Sequence, residues 1–445
     1  MLGSAGMGRP SEDIELEEDQ AALGRRARVG QTVRGLAVDI TPLRKFRDYR
    51  LLLTGQLISE IGHQISHVAI FIQVYRLTHS ALAVGLVGAV SLVPLTVATI
   101  GAAWIADAFD RRRVLAVVQV GLAGGSALLL VGALMMPHTP LGLVYGAVAI
   151  TAFLGGIDSP TRTATVARVV GKDHLASAVA LNQVVWNTTL VAGPALGGII
   201  VARLGFSWAY GIDAVTYGAT FLAAVLMQPI PPVPGEATPT RGVRAIREGF
   251  AYLKGRRVLQ TTFTIDLVAM IFGMPRALFP ILAVTQFHRG PATVGYLLSS
   301  VGAGALIGAL TAGWVTRIRH QGLAVIWAVA LWGAAIAAFG LVGDHLWIAF
   351  ALLALAGAAD VISAVFRGTI LQLAVPDSLR GRLNGIHILV VTGGPRIGDF
   401  EAGAVAYLFT PLISVVSGGL ACLVGVALLA MLVPEFARYH AGEPG

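Results

Sequence analysis

Charged residues are scarce in this sequence. They make up 13% of its 445 residues, whereas hydrophobic residues make up 56%. Soluble domains carry about 25% charged residues, which cover the surface that faces water. The chain has too few to keep a fold of this length in water. Its composition therefore excludes an ordinary soluble globular protein and indicates one that is surrounded by lipid.

Cysteine pairs and common catalytic motifs are missing as well. The single cysteine, Cys422, lies in an apolar run, where we interpret it as a small buried hydrophobic residue. No Walker A, HExxH or GxSxG motif occurs, so ATP hydrolysis is not expected to be built in. His63 and His67 have a metal-compatible spacing without further ligands, so we expect no metal site and no cofactor.

Long apolar runs are what the sequence has in abundance. A helix needs about 20 apolar residues to cross the hydrocarbon core of a bilayer. Twelve such runs are present, and each predicts one membrane span. In chain order, spans 1 to 12 are predicted near 50–75, 81–106, 114–136, 141–161, 175–202, 207–227, 258–286, 293–316, 323–342, 346–371, 382–408 and 412–433.

The longest polar gap, 228–257, divides the spans into two sets of six. It opens with a proline-rich turn and continues with six basic residues, while Val243, Ile246, Phe250 and Leu253 recur at helical spacing. This pattern predicts an amphipathic helix on the membrane surface, and a disordered linker is the alternative.

The predicted organisation places one six-helix bundle on each side of this linker. The amino-terminal segment is acidic and has no periodic apolar face, which predicts a disordered tail. The segments are a cytoplasmic tail at 1–43, a bundle at 44–227, the linker at 228–257, a bundle at 258–436 and a short tail at 437–445.

The basic residues favour one side of the predicted membrane. Loops after odd-numbered spans contain only Arg76, Arg203 and Arg289, whereas the other loops and the segment before span 1 carry many more. An excess of Lys and Arg marks the cytoplasmic side. We therefore predict a multi-pass protein of the cell (inner) membrane with both termini in the cytoplasm. The net charge of +8 serves orientation, not nucleic-acid binding.

The two halves carry matching polar residues. Glu60 and Asp266 each lie ten residues after the arginine that opens their half, which places both carboxylates about 15 Å into the bilayer. Matches in the same order indicate parallel repeats around a central site, as in transporters. The further matched features are Asp158 with Asp360, Arg162 with Arg367, Asn182 with Asn384, and Gly193-Pro194 with Gly394-Pro395.

Polar side chains share one face of span 1. They are Gln56, Glu60, His63, Gln64 and His67. A charged side chain at bilayer depth costs about 2.5–3.5 kcal/mol, so this face is predicted to line a watery substrate cavity. Because shelter from water favours the protonated carboxyl form, Glu60 is a candidate proton carrier. A purely structural hydrogen-bonded cluster is the alternative.

Asp266 is the second candidate proton carrier. It stands alone among apolar neighbours in span 7, and pairing with a basic group is the structural alternative. Pro275 and Pro280 follow in the same span, where they are expected to interrupt the helix and allow it to bend.

Arginines within the second half are predicted to face the cavity. Arg276 and Arg396 are expected to attract an anionic substrate. Asp399 lies three residues after Arg396, a spacing that predicts an ion pair within the helix. Asp213, in span 6, is expected near the outer interface.

Several stretches resemble the major facilitator superfamily, and within it the drug:proton antiporter group close to its siderophore-exporting branch. The resemblance covers roughly 44–438. ALNQVVWNTTLVAGPALGG resembles the fifth-span antiporter motif, DSPTRTATVARVV resembles the end of span 4, and FRGTILQLAVPDSLRGRLNG is close to the exporter branch. AWIADAFDRRR matches the loop after span 2 at Asp107 and at the arginines 111 and 112, but not at the first glycine, Ala103 here.

The resemblance implies twelve helices in two six-helix bundles and alternating access between them. It also implies efflux driven by the proton motive force, and a charge latch that holds the cytoplasmic gate. The latch role is carried over to Asp107 and Arg112. The other residues predicted to take part in gating are Asp158, Arg162, Gly193, Pro194, Asp360 and Arg367.

The sequence thus predicts an all-α membrane protein, not an enzyme, that acts as a monomer. We expect it to export a small molecule, a siderophore or an amphiphilic drug, in exchange for protons. A proton-coupled importer, a membrane-embedded enzyme and a receptor that does not transport are the alternatives.

Overall fold

A computed structural model describes residues 39–231 and 240–440 of the chain. Within these ranges the backbone is almost entirely helical, and the one β-contact is an isolated bridge between His320 and His440. Helices satisfy every backbone hydrogen bond within one segment, which is what a chain surrounded by lipid requires. The predicted all-α fold class is confirmed.

The helices follow the predicted spans closely. In the first half, spans 1, 2 and 3 are Arg47–Thr78, Ala81–Ala108 and Arg111–Leu134, spans 4 and 5 share Leu141–Arg203, and span 6 is Phe206–Leu226. In the second half, span 7 comprises Arg257–Phe272, Arg276–Leu278 and Phe279–Thr285, and span 8 comprises Pro291–Thr311 and Ala312–Arg317. Spans 9 to 12 are Gln321–Leu341, Leu346–Ala374, Asp377–Leu408 and Pro411–Leu432, and short helices are Thr41–Lys45, Thr240–Leu253 and Pro434–Ala437.

Some of these spans contain too many polar residues to be recognised as membrane helices from their composition alone. Nine stretches of the described chain are long and apolar enough to cross a membrane, and one of them, Leu141–Arg203, is long enough for two spans. Spans 1 and 11 are missing from the nine because they carry the polar residues of the candidate site. The architecture is therefore one of twelve membrane helices.

Two helix boundaries show how local chemistry shapes the spans. A polar gap was expected between spans 4 and 5, but the helix continues and is broken only at Gly171, where φ is 70°. A glycine adopts this backbone conformation without the strain that a side chain adds. The predicted interruption of span 7 is confirmed, because the helix stops at Phe272 and resumes at Arg276, just after Pro275.

The two halves meet through two pairs of spans. Span 2 packs against span 11, and span 5 packs against span 8. Glycines let the backbones approach: a methyl group on Gly85 would lie 3.0 Å from the Cα atom of Gly403, and one on Gly198 would lie 2.9 Å from that of Gly295. Small residues at such crossings allow close packing where lipid supplies no hydrophobic drive.

These glycine contacts are related by the internal repeat. Gly85 and Gly295 each lie four residues after the start of their spans, at Ala81 and Pro291. Gly198 and Gly403 each lie five residues before the end of theirs. Both contacts lie near one face of the bundle, which we call the far face. It is opposite the terminal face, where span 1 begins and span 12 ends.

The helix Thr240–Leu253, which we call the linker helix, lies between the halves in sequence and contacts both. Glu248 forms a 3.0 Å ion pair with Arg382 of span 11, and Gly249 packs against the side chain of Ile386. The linker helix also contacts span 2. The side chains of Val243 and Ile246, on which the amphipathic prediction rests in part, lie outside the described residues.

Candidate functional site

The polar face of span 1 lies at the centre of the bundle. Glu60, His63, Gln64 and His67 are all half-buried, although the helix around them is largely covered. Gln64 donates a 3.2 Å hydrogen bond from Nε2 to Oε1 of Glu60. Gln56 is also half-buried, and its Oε1 accepts no hydrogen bond from the described residues. This face thus presents polar side chains that the rest of the described bundle covers only in part.

The two histidines of this face point to different neighbours. Nδ1 of His63 lies 3.1 Å from the hydroxyl of Tyr217 in span 6. The ring of His67 lies 4.6 Å from that of Phe71, centroid to centroid, in a tilted arrangement. His67 also interacts electrostatically with Arg276 and Arg396 of the second half. His67 therefore connects the polar face of span 1 to the other bundle.

Arg276 and Arg396 are held beside one carboxylate. Arg276 donates a 2.8 Å hydrogen bond to Oδ2 of Asp399, which is 2% exposed. Arg396 instead donates from Nε to the hydroxyl of Ser91 in span 2, at 3.1 Å. The predicted pair of Arg396 with Asp399 is therefore wrong. The break in span 7 brings Arg276 to Asp399 from outside the helix.

Asp266 occupies a different environment from Glu60. It is 2% exposed and forms an ion pair with Arg367 of span 10, which is itself 4% exposed. A second carboxylate, Asp360, lies 3.7 Å from the same guanidinium group. The structure thus brings the predicted proton carrier Asp266 together with two predicted gating residues, buried Arg367 and half-buried Asp360.

The residues named for gating lie in both halves. Arg162 forms an ion pair with Asp158 one helical turn earlier, and Gln119 of span 3 donates a 2.7 Å hydrogen bond to the same carboxylate. Arg112 donates a 3.0 Å hydrogen bond to the carbonyl of Met227, just after span 6. The side chain of Asp107 lies outside the described residues.

The Gly193-Pro194 pair lies where span 5 touches two other spans. A methyl group on Gly193 would collide with the side chain of Gln64, and one on Gly295 would collide with the carbonyl of Pro194. This motif therefore packs span 5 against the polar face of span 1 and against span 8 of the other half.

Asp213 is a site residue that the sequence analysis misplaced. It was expected near the outer interface, but it is 1% exposed and lies between spans 1, 3 and 6. Its Oδ2 accepts a 2.6 Å hydrogen bond from Ser126 of span 3. A carboxylate in an apolar run was the available signal, although its position in the span gave no indication of burial.

An apolar groove adjoins the polar centre. Its volume is about 200 Å³, and it is open to its surroundings. The polar residues predicted for the cavity are not among its described lining residues. Those lining residues are Leu92 and Thr96 of span 2, Phe250 of the linker helix, Leu267 of span 7, and Ile386, Leu389, Val390, Gly393, Gly394 and Ile397 of span 11.

Two six-span halves around a polar centre define a membrane transporter of the major facilitator fold. Solved structures agree on the fold. A POT family transporter in complex with 5-aminolevulinic acid superposes with a TM-score of 0.71 at 12% identity, covering 88% of this chain and 97% of that one. The human organic anion transporter MFSD10 gives a TM-score of 0.58 at 17% identity, covering 86% and 99%.

The particular family follows from the sequence comparisons. The family described as transmembrane secretion effectors matches residues 37–441, so the chain belongs to it. The enterobactin exporter EntS of Citrobacter koseri is 26% identical over 412 residues, which are 92% of this chain and 97% of that protein. The EntS protein of Shigella flexneri matches to the same extent. The protein is therefore a multi-pass membrane transporter of the major facilitator superfamily, and not an enzyme.

Proposed function

We propose that the protein exports a small amphiphilic molecule, a siderophore or a drug, in exchange for protons. The observation that carries this proposal is the half-buried polar face of span 1, which meets two arginines of the other half beside an apolar groove. The direction is proposed from relatives that are named enterobactin exporters.

The charges at the centre favour a substrate with an anionic group. Arg276 is paired with Asp399, Arg396 is hydrogen-bonded to Ser91 near the same carboxylate, and His67 of the first half interacts electrostatically with both arginines. Two guanidinium groups facing one carboxylate leave positive charge to be balanced. Because a buried charge without a partner is costly, an anionic substrate would be stabilised here. The nearby groove supplies apolar contact for the remainder of an amphiphilic molecule.

Proton coupling is assigned in this proposal to Glu60, with Asp266 as a second site. Glu60 is half-buried and receives a hydrogen bond from the neutral amide of Gln64. A carboxylate in this setting gains or loses a proton without breaking an ion pair. Asp266 is paired with Arg367, so its protonation would require that pair to open.

Alternating access is proposed to use the contacts between the halves. Glycine crossings of spans 2 with 11 and 5 with 8 close the far face, and opening it would separate these pairs. We propose Asp107, Arg112, the Asp158–Arg162 and Asp360–Arg367 pairs and Gly193-Pro194 as gating elements. Those among them whose side chains the structure describes lie where spans within each half contact one another or the other half.

The membrane, the orientation and the oligomeric state of the protein are part of this proposal. We propose that it is a monomer in the inner membrane, with both termini and the linker helix in the cytoplasm. Modification of cysteines introduced at exposed Arg203 and Arg289 on the far face, by a reagent that does not cross the membrane, tests this orientation in intact cells. Labelling only after permeabilisation would reverse the assignment.

The decisive experiment measures transport and proton movement together in proteoliposomes. Iron-free enterobactin serves as an anionic amphiphile and ethidium as a cationic one, and a trapped dye reports internal pH. We expect the anionic probe to move in exchange for protons, and Glu60→Gln to lower the coupled proton flux at least tenfold while the probe still binds. Movement of probe and protons in the same direction would establish a symporter instead, and transport without proton flux would exclude coupling.

A further inference from the structure

Span 5 carries two polar side chains to which the mechanism above gives no role. Gln183 and Asn187 lie after the helix break at Gly171, and Asn187 is midway between that break and the end of the helix at Arg203. At 1.5 Å per residue both amides lie well inside the span. Gln183 is exposed and Asn187 is half-buried. An amide that faces hydrocarbon is costly, so these side chains fit an aqueous space and not the lipid.

The next turn of span 5 shows which way these amides point. Gln183, Asn187 and Val191 are spaced i, i+4 and i+8, so they lie on one side of the helix. The carbonyl of Val191 accepts a 2.7 Å hydrogen bond from Ser299 of span 8. Nearer the far face, this side of span 5 therefore packs against the second half. Nearer the terminal face, at Gln183 and Asn187, it is left uncovered and faces the space between the halves.

Trp186 lies beside the two amides and faces the same space. It is 43% exposed and precedes Leu190 by one turn. A methyl group on Gly302 of span 8 would lie 2.7 Å from the carbonyl of Leu190. Gly193, seven residues after Trp186 and on the same side of the helix, packs against Gln64 of span 1. The indole ring thus lies on the side of span 5 that is between span 1 and span 8.

The chemistry of these side chains indicates the kind of group that they bind. Nε2 of Gln183 donates a 3.1 Å hydrogen bond to Oδ1 of Asn187. This bond leaves the carbonyl oxygen of Gln183 as an acceptor and the amino group of Asn187 as a donor. A hydroxyl group both donates and accepts, so it matches this pair, whereas a carboxylate only accepts. The indole of Trp186 offers a flat surface on which an aromatic ring stacks.

We propose that Gln183, Trp186 and Asn187 bind a hydroxyl-bearing aromatic ring of the exported molecule. The inference rests on the proposed export of an anionic amphiphile and names a second group by which that molecule is recognised. Arg276 and Arg396, from the second half, attract the anionic group, while the neutral face of span 5 binds the ring. Span 5 therefore determines which anions are accepted, because a site built for hydroxyl groups discriminates against a ring that lacks them.

The binding test uses two probes that differ only in their ring hydroxyl groups. Dihydroxybenzoylglycine and benzoylglycine carry the same carboxylate and the same amide, so the attraction to the arginines is equal. Gln183→Leu and Asn187→Leu remove the hydrogen-bonding groups and keep much of the side-chain volume. We expect each to weaken binding of the hydroxylated probe about fivefold, while binding of benzoylglycine stays within about twofold of wild type. Calorimetric titration of the purified protein in detergent measures both, and retained benzoylglycine binding shows that the variant is folded.

Two further variants separate the roles within this face. Trp186→Leu removes the stacking surface and should weaken both probes by a similar factor, on the order of tenfold. Thr188→Val is the matched control. Thr188 is exposed on the side of span 5 that also exposes the apolar side chains of Val184 and Leu196, which fits lipid. This control should leave the binding of both probes unchanged.

The position of the face is tested without any substrate. Gln183→Cys, Asn187→Cys and Thr188→Cys are treated with a charged thiol reagent in proteoliposomes made permeable on both sides. The reagent needs water and a thiolate, so we expect it to modify positions 183 and 187 and to spare position 188. The native Cys422 is buried. Resistance at positions 183 and 187, or equal modification at all three, would overturn the assignment of this face to the space between the halves.

The outcomes of the binding test separate this inference from the proposed function. If wild type transports iron-free enterobactin but binds the two small probes equally or not at all, the ring site is wrong and the proposed function stands. The same holds if Gln183→Leu and Asn187→Leu bind both probes as wild type does, or lose both to the same extent. If wild type neither transports enterobactin nor binds either small anion, the proposed anionic substrate and the ring site are both overturned.

Discussion

The two halves of the molecule accommodate a carboxylate inside the membrane in different ways. In the first half, Glu60 of span 1 is half-buried beside a neutral glutamine, and Asp213 lies behind it with a serine. In the second half, the equivalent carboxylate, Asp266, is buried and forms an ion pair with Arg367. Related sequences have thus placed one carboxylate beside a neutral amide in the first half and its counterpart in a buried ion pair in the second.

The difference arises from the position of one arginine. Arg162, in span 4, lies one turn after Asp158 and pairs within its own helix. Arg367, in span 10, lies about two turns after Asp360 and reaches Asp266 in span 7. An arginine that pairs within its own helix leaves Glu60, the first carboxylate of its half, without an ion pair among the described residues. The repeat therefore supplies similar residues, while their spacing along the helix decides which of them form ion pairs.

The largest effect is expected from breaking the closed pair. Arg367→Gln leaves Asp266 buried without a cation, and removing one partner of a buried pair costs about 3–5 kcal/mol of folding free energy. Thermal unfolding of the purified protein in detergent would show a strongly lowered midpoint. The matched control, Arg162→Gln, breaks a pair that is 13% exposed on both sides and should cost less. Equal losses in the two variants would contradict the difference between the halves.

A smaller effect is expected at the arginines of the centre. Asp399→Asn removes the carboxylate that accepts the hydrogen bond from Arg276, and hydrogen bonds to charged groups contribute about 1.5–3 kcal/mol. The protein should lose stability by this order, and iron-free enterobactin should bind several times more tightly, because less negative charge opposes it. Binding measured by intrinsic tryptophan fluorescence tests this. Weaker binding of the anionic probe would contradict an anionic substrate.

The contact between the halves is expected to respond to one added methyl group. Gly295→Ala overpacks the crossing of spans 5 and 8. Overpacking costs about 1–3 kcal/mol, which here would destabilise the conformation in which the far face is closed. Distances between spin labels on cysteines introduced at positions 203 and 289 should lengthen. The native Cys422 need not be removed, because it is buried. Gly218→Ala, in span 6 with open space around it, is the control and should leave the distances unchanged.

The smallest effect is expected at the linker helix. Its ion pair between Glu248 and Arg382 is about one-third exposed, and exposed pairs contribute about 0.2–1 kcal/mol. Arg382→Gln should therefore change the unfolding midpoint little, and less still at high salt. A large loss of transport with unchanged stability would show that the linker helix coordinates the halves.

Most of the fold follows from local features of the sequence. Each apolar run became a span, and the predicted break in span 7 lies beside its proline. The repeat was visible in polar residues and reappears as two related glycine crossings. The polar gap expected between spans 4 and 5 did not form, because a helix continues through polar residues wherever the backbone permits, up to Gly171.

The candidate site was harder to predict, because its contacts join distant parts of the chain. Asp399 was expected to pair with Arg396 in the same helix, but Arg276 of span 7 reaches it instead. Asp213 gave no local sign that it lies behind Glu60. Sequence spacing describes neighbours on one helix only, whereas the partner of a buried charge is chosen by how helices pack.

The sequence by itself determined that the chain is a membrane protein, that it has twelve membrane-spanning segments and that its two halves are related repeats. These properties depend on the length and polarity of continuous segments, because each helix must separately match the apolar interior of the bilayer. The tertiary structure alone decided that Asp266 pairs with Arg367, whereas the hydrogen bond that Glu60 accepts comes from the neutral amide of Gln64. The physical reason is that a charge inside a bilayer is stabilised by whichever group is adjacent in space, and adjacency is set by the packing of spans.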